Sequence, residues 1–124
     1  MSGTISLEGR QILVVEDETL IALLIEEMLG DLGCGVVGPA HALQEALALA
    51  TDSEVIDAAL LDVNVGGKPV FEVADVLRAR GVPFVFSTGY GDNGLREADR
   101  GTPVLQKPFR LAEVETALRQ ALGG

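Results

Sequence analysis

A few residues scattered along this 124-residue chain have side chains that could do chemistry together: Glu16 and Asp17, Asp62, Thr88 behind Ser87, and Lys107 before Pro108. Three carboxylates brought to one place repel by about 4 kcal/mol per pair at ~4 Å, with an effective dielectric of about 20. Lys107 offsets one of those charges, so the group calls for a cation. Oxygen ligands without His or Cys select a hard ion, Mg2+ ahead of zinc or copper. Such an ion suits phosphoryl transfer, because it neutralises charge on the incoming oxygens. A carboxylate can then be the nucleophile and form an aspartyl-phosphate. The Thr88 hydroxyl and the Lys107 ammonium can hold phosphoryl oxygens. Singly, each residue has an ordinary account as a solvated acid, a turn former or a surface charge. Only a common location makes them a site.

The elements that would position them alternate between two hydrophobic periods. Ile12 to Val15, Ala58 to Leu61 and Val82 to Phe86 are short unbroken apolar runs, the mark of strands covered on both faces. Val36-Val37, closed by Gly38-Pro39, and Pro103 to Gln106 are weaker strands. Between them come helices. Leu20, Leu24 and Met28, with Ile21, Ile25, Leu29 and Leu32, repeat at helical spacing, and Gly30 and Gly33 suit the end of that helix. Leu43, Ala46, Leu47 and Ala50 form the second helix; Phe71, Val73, Val76 and Leu77 the third; Leu111, Val114, Leu118 and Leu122 the last. The segment before strand five offers only Leu95 and Ala98 to a core, which predicts a short, weakly anchored fourth helix. The pattern is α/β, a (βα)5 open parallel sheet with helices on both faces. Each candidate residue falls at the carboxyl end of a strand, where such sheets gather their functional groups.

A formal charge of −10, from 19 acids against 9 bases, argues against direct nucleic-acid or anionic-membrane binding. The single cysteine, Cys34, forms no internal disulfide and reads as a small buried hydrophobe. No apolar run approaches membrane-spanning length, so a cytoplasmic protein is the default. Gly33 to Gly38 matches a dinucleotide fingerprint in spacing but follows a helix and enters a strand, the reverse of what that motif needs. "GGKPV" lacks the first glycine and the Ser/Thr of a phosphate loop. His41, the one histidine, has no ligand or nucleophile at useful spacing and reads as a surface helix residue.

Taken as a set, "ILVVEDE", "LLDVNVGG", "FVFSTGY" and "VLQKPF" resemble the receiver domain of bacterial response regulators, in the family's order and over essentially the whole chain. The resemblance implies a flavodoxin-like doubly wound sheet of strand order 2-1-3-4-5 over residues 11–122, preceded by an extension at 1–10 and followed by no output domain. It implies Asp62 as the acceptor of phosphate from a histidine kinase. Asp17 would bind Mg2+ directly, Glu16 through water, Asp62 itself and the main-chain carbonyl of Asn64 also. Thr88 would be the switch hydroxyl, Lys107 the phosphate contact, and Lys107-Pro108 a cis bond. Receivers usually carry an aromatic residue three positions before the lysine, where this chain has Val104. "FSTGY" resembles the signature of an atypical, often free-standing subfamily with a pliable fourth helix. There Tyr90 could take the aromatic role, with Gly89, Gly91 and Gly94 as the hinge. The same resemblance implies a kinase of the HWE type, a histidine phosphotransferase or downstream protein as further partner, and a monomer or a phosphorylation-dependent dimer. It implies a signalling module that catalyses only its own phosphorylation and dephosphorylation. The alternatives are a Mg2+-dependent phosphatase with an aspartyl nucleophile and a degenerate receiver serving as a scaffold.

Overall fold

The computed structural model describes residues 5–89 and 95–123. In chain order they form β1 (Gln11–Val15), α1 (Thr19–Asp31), β2 (Gly35–Ala40), α2 (Leu43–Asp52), β3 (Ala58–Asp62), and the short strands β4 (Asn64–Val65) and β5 (Lys68–Pro69). Then follow α3 (Phe71–Ala79), β6 (Phe84–Thr88), a 3-10 turn (Glu97–Asp99), β7 (Val104–Gln106) and α4 (Leu111–Gly123). Five strands make one parallel sheet in the order β2-β1-β3-β6-β7. β4 and β5 pair with each other in a separate antiparallel hairpin. Counted over the sheet alone, the order is the expected 2-1-3-4-5.

The strands are apolar throughout because alternate residues feed two cores. Leu13, Val15, Ala59, Leu61, Phe84 and Phe86 point to the face covered by α2 and α3. Ile12, Val14, Ala58, Leu60 and Val85 point to the other, under α1 and α4. Truncating a side chain such as Leu61 or Leu118, both fully buried, to Ala costs about 2–5 kcal/mol. The sheet is therefore a rigid platform, and its carboxyl edge is fixed by register: Asp62 stands opposite Ser87, and Thr88 opposite Gln106.

Gly33 caps α1 as its sequence position indicated. At φ +83° it donates to Gly30 O at 3.0 Å while Cys34 donates to Leu29 O at 2.9 Å, which satisfies two of the helix's last carbonyls. Cys34 is buried, its thiol on Leu7 O at 3.3 Å. Leu7 itself is buried, so residues 5–10 lie against the domain.

The fold departs from the sequence reading at β2, at a second cis bond, on α1 and in the fourth helix. β2 runs through Gly38-Pro39 to Ala40, with an irregularity opposite Val14; an edge strand tolerates a proline there. Gly38-Pro39 is cis, in addition to the expected Lys107-Pro108. On α1 the stripe of Leu20 and Leu24 faces solvent with Leu23, while Ala22, Ile25 and Leu29 are buried. Of the fourth helix, the described residues show one 3-10 turn, and its anchor is ionic. Asp99 is fully buried and accepts from Arg78 at 2.8 Å and from Arg96 at 2.9 Å. Arg96 also forks onto Asp75 of α3 at 2.9 and 3.2 Å and lies over the Phe71 ring.

Candidate functional site

Glu16 and Asp17 follow β1 directly. Glu16 is fully buried; its N–H donates to Ala40 O at 2.9 Å, and its Oε2 accepts the Glu18 N–H at 3.1 Å. Asp17 is the least buried of the acids, and its Oδ2 accepts the Gly66 N–H at 2.9 Å. That donor comes from the β4–β5 turn, so the hairpin reaches back over the edge of the sheet. Asp62 closes β3 at 4% exposure, with Oδ1 accepting the Asn64 N–H at 3.1 Å. Carboxylate oxygens of Glu16, Asp17 and Asp62 lie within 4.8 Å of one another.

Lys107, just past β7, joins two of them. Its Nζ donates to Asp62 Oδ2 at 3.0 Å and stands 2.8 Å from Glu16 Oε1. The second contact is the shorter of the two and is a charge-assisted one, so Lys107 is the partner of the buried Glu16 Oε1. Burial pushes the Glu16 carboxyl up to about 7; Lys107 opposes this and the Asp62 charge adds to it. For Lys107 burial works against the charge, yet Glu16 and Asp62 hold the ammonium above its ordinary value.

Thr88 is buried at the end of β6, and its carbonyl accepts the Lys107 N–H at 2.9 Å. The sheet thus brings Glu16, Asp17, Asp62, Thr88 and Lys107 to one edge, with Asn64 exposed two residues past Asp62. Gly89 borders the site with open space at its Cα. Tyr90, Gly91 and Gly94 lie outside the described residues. Val104 is a surface residue at 44% exposure.

Three carboxylates converge, two of them buried, against a single ammonium. That donor set fits a hard divalent cation. Sequence reasoning passed over two contributors. His41 precedes α2 instead of lying in it, and its Nδ1 is 3.0 Å from Glu16 O. The Gly66 N–H had no role in that reading, which took Gly66-Gly67 as a failed phosphate loop and as part of the receiver pattern; Gly66-Gly67 between alternating residues was a hairpin signal.

A parallel α/β sheet presenting acids, a hydroxyl and a lysine at its carboxyl edge is the arrangement of a signalling receiver. The response regulator receiver domain family matches residues 12–119, and the chain belongs to that family. It is 43% identical to SdrG from Sphingomonas melonis Fr1, whose solution structure superposes with a TM-score of 0.82 over 95% of this chain and 99% of that one. The BeF3-activated conformation of SdrG superposes with a TM-score of 0.75 over 90% of this chain and 95% of that one. The phyllosphere-induced regulator PhyR of Methylorubrum extorquens is 34% identical over 90% of this chain and 43% of its own length. PdtaR of Mycobacterium tuberculosis is 31% identical over 91% of this chain and 57% of its own length. The chain thus spans about half the length of the curated relatives it matches. It is a receiver domain of the two-component response-regulator type, and the phosphatase alternative is not favoured. No described helix is long and apolar enough to cross a membrane.

Proposed function

We propose that Asp62 accepts a phosphoryl group from a phosphohistidine, at a Mg2+ site held by Glu16, Asp17, Asp62 and the Asn64 carbonyl. The observation that carries this reading is the Lys107 ammonium shared by Asp62 and Glu16 beside Asp17. An Asp62 oxygen attacks phosphorus; the P–N bond breaks and its electron pair returns to the imidazole nitrogen. Mg2+, when bound, neutralises charge on the transferring oxygens. Lys107 then contacts the phosphoryl group, and Thr88 turns its hydroxyl to it. With Val104 at the surface, Tyr90 serves as the aromatic residue that follows Thr88. Gly89, Gly91 and Gly94 are the proposed hinge of that switch. A relative with a BeF3-activated conformation supports switching of this kind.

The donor is a histidine kinase, of the HWE type that the FSTGY signature implies, or a histidine phosphotransferase. An apolar groove of about 360 Å³ adjoins Lys107, lined by Ile21, Leu24, Gly89, Pro108 and Phe109, with Leu20 and Leu23 exposed on the same helix. A helical donor seated there brings its histidine to Asp62. Similarity to PhyR, described in Bartonella quintana as an anti-anti-sigma factor and in a further structure as a stress response regulator, favours a place in a stress-response relay.

Labelling by acetyl phosphate tests the chemistry. The wild type should take up acid-labile phosphate with Mg2+, Asp62→Asn should not, and EDTA should block uptake. Label surviving in Asp62→Asn reassigns the nucleophile, and label indifferent to EDTA removes the ion. Tyr90, the single tyrosine in a chain without tryptophan, should change its emission when beryllofluoride binds; unchanged emission sinks its switch role.

A further inference from the structure

The link between β2 and α2 holds both peptide planes that flank the Glu16 Cα. Glu16 N–H donates to Ala40 O at 2.9 Å, which fixes the plane before it. His41 Nδ1 lies 3.0 Å from Glu16 O, which fixes the plane after it. A carbonyl oxygen only accepts, so Nδ1 carries the proton in this bond. The peptide unit is rigid from one Cα to the next. The His41 bond therefore orients the unit joining Glu16 to Asp17, and with it ψ of Glu16 and φ of Asp17. From those two Cα atoms depart two of the three clustered carboxylates. His41 is itself held, since its backbone N–H donates to Glu45 Oε1 at 3.0 Å on the first turn of α2.

We propose that His41 is a positioning residue for the cation site, its Nδ1–H setting the Glu16-Asp17 peptide so that both carboxylates converge with that of Asp62. This rests on the reading of the three acids as a divalent-cation site. Outer residues that orient metal ligands act in this way: they alter affinity for the ion without touching it. A histidine that merely packed would stabilise the fold equally with and without the ion.

Mg2+ titrations followed by amide NMR on wild type, His41→Ala and His41→Asn test it, with melting temperatures taken without the ion. Asn carries an amide N–H close to the place of Nδ1. The alanine variant should bind Mg2+ about 3- to 10-fold more weakly, the value of one net hydrogen bond, and the asparagine variant within about twofold of wild type. Loss of the bond should also lower the ion-free melting temperature of His41→Ala by about 2–8 °C, a stability effect distinct from the affinity. Equal Mg2+ affinity in wild type and His41→Ala overturns the proposal and leaves the cation site standing. An asparagine variant as weak as alanine also overturns it, because the ring and not its N–H would then matter. Wild type that binds no Mg2+ removes the cation site and the proposal together. Ring nitrogen spectra give a readout that needs no metal: Nδ1 protonated supports the bond, and Nε2 alone protonated overturns it.

Discussion

The ammonium of Lys107 donates to Asp62 Oδ2 at 3.0 Å, tying the end of β3 to the end of β7 across the strand between them. The same nitrogen stands 2.8 Å from buried Glu16, so one cation separates two acids that would otherwise face each other. Lys107→Met keeps most of the stem and deletes the charge. Breaking a buried pair costs about 3–5 kcal/mol, and some water access at Lys107 brings the expectation to about 3 kcal/mol. Urea unfolding without divalent ions measures it. Mg2+ should narrow the gap between variant and wild type by replacing the lost cation; a gap that Mg2+ leaves untouched contradicts the cation site.

A second buried acid gives a pH signature. Burial by itself raises the Asp99 carboxyl, but Arg96 and Arg78 outweigh it and hold the group below the ordinary carboxylate value. In the unfolded chain the same group titrates at about 3.9. Between the two values the unfolded state binds more protons, so stability rises with pH there. Asp99 thus contributes above about pH 4, and its contribution is lost as pH falls through the lower folded value. Asp99→Asn takes the buried carboxylate from two arginines, leaving them only the exposed Asp75, and should cost about 2 kcal/mol at neutral pH. The difference between wild type and variant should shrink on acidification below about pH 4, as urea unfolding across that range reads out. Carboxylates other than Asp75, which shares both arginines with Asp99, titrate in both proteins and cancel. A difference that stays constant to low pH means the ion pairs carry no stability.

Leu20 is 81% exposed on α1, one turn before Leu24 of the groove beside Lys107. Leu20→Glu should leave stability within about 0.5 kcal/mol. If a protein donor docks on this face, phosphotransfer from a histidine kinase should fall about tenfold or more, as for loss of an apolar anchor. Labelling by acetyl phosphate should be unchanged, because the small donor needs no docking surface. Equal loss with both donors would place the damage in the site itself.

The sheet and the acids were readable from the chain for one reason: doubly covered strands are continuous apolar runs, and the polar residue ending each run marks the same edge. Ile12 to Val15 followed by Glu16, and Ala58 to Leu61 followed by Asp62, need no tertiary knowledge. What stayed hidden depends on partners distant in sequence. Helical periodicity cannot distinguish the seam of α1 that meets the core from the one that meets solvent. The seams through Leu20 and Ile25 look alike until packing buries Ile25 and leaves Leu20 exposed. Counting apolar residues undervalued the segment around Asp99, whose anchor on α3 is made of charges. His41 was dismissed for want of a ligand at useful spacing, yet its partner is a backbone carbonyl 25 positions away.

Gly38 tests how far the site depends on the β2 irregularity. Its φ is +95°, and a Cβ there would lie 2.8 Å from Ala40 N and 3.2 Å from Val14 O. Both neighbours are backbone, so neither can swing aside. Gly38→Ala should therefore cost about 2–3 kcal/mol, more than the left-handed conformation alone. Relief of the clash moves Ala40, whose carbonyl holds Glu16 N–H, and the His41 link that follows. Mg2+ affinity should fall alongside stability. Gly30 is the control: it lies in α1 with open space at its Cα, so Gly30→Ala should stabilise by about 0.5–1 kcal/mol and leave Mg2+ affinity alone. Should Gly38→Ala lose stability while binding Mg2+ as wild type does, the β2–α2 link does not set the geometry of the acids.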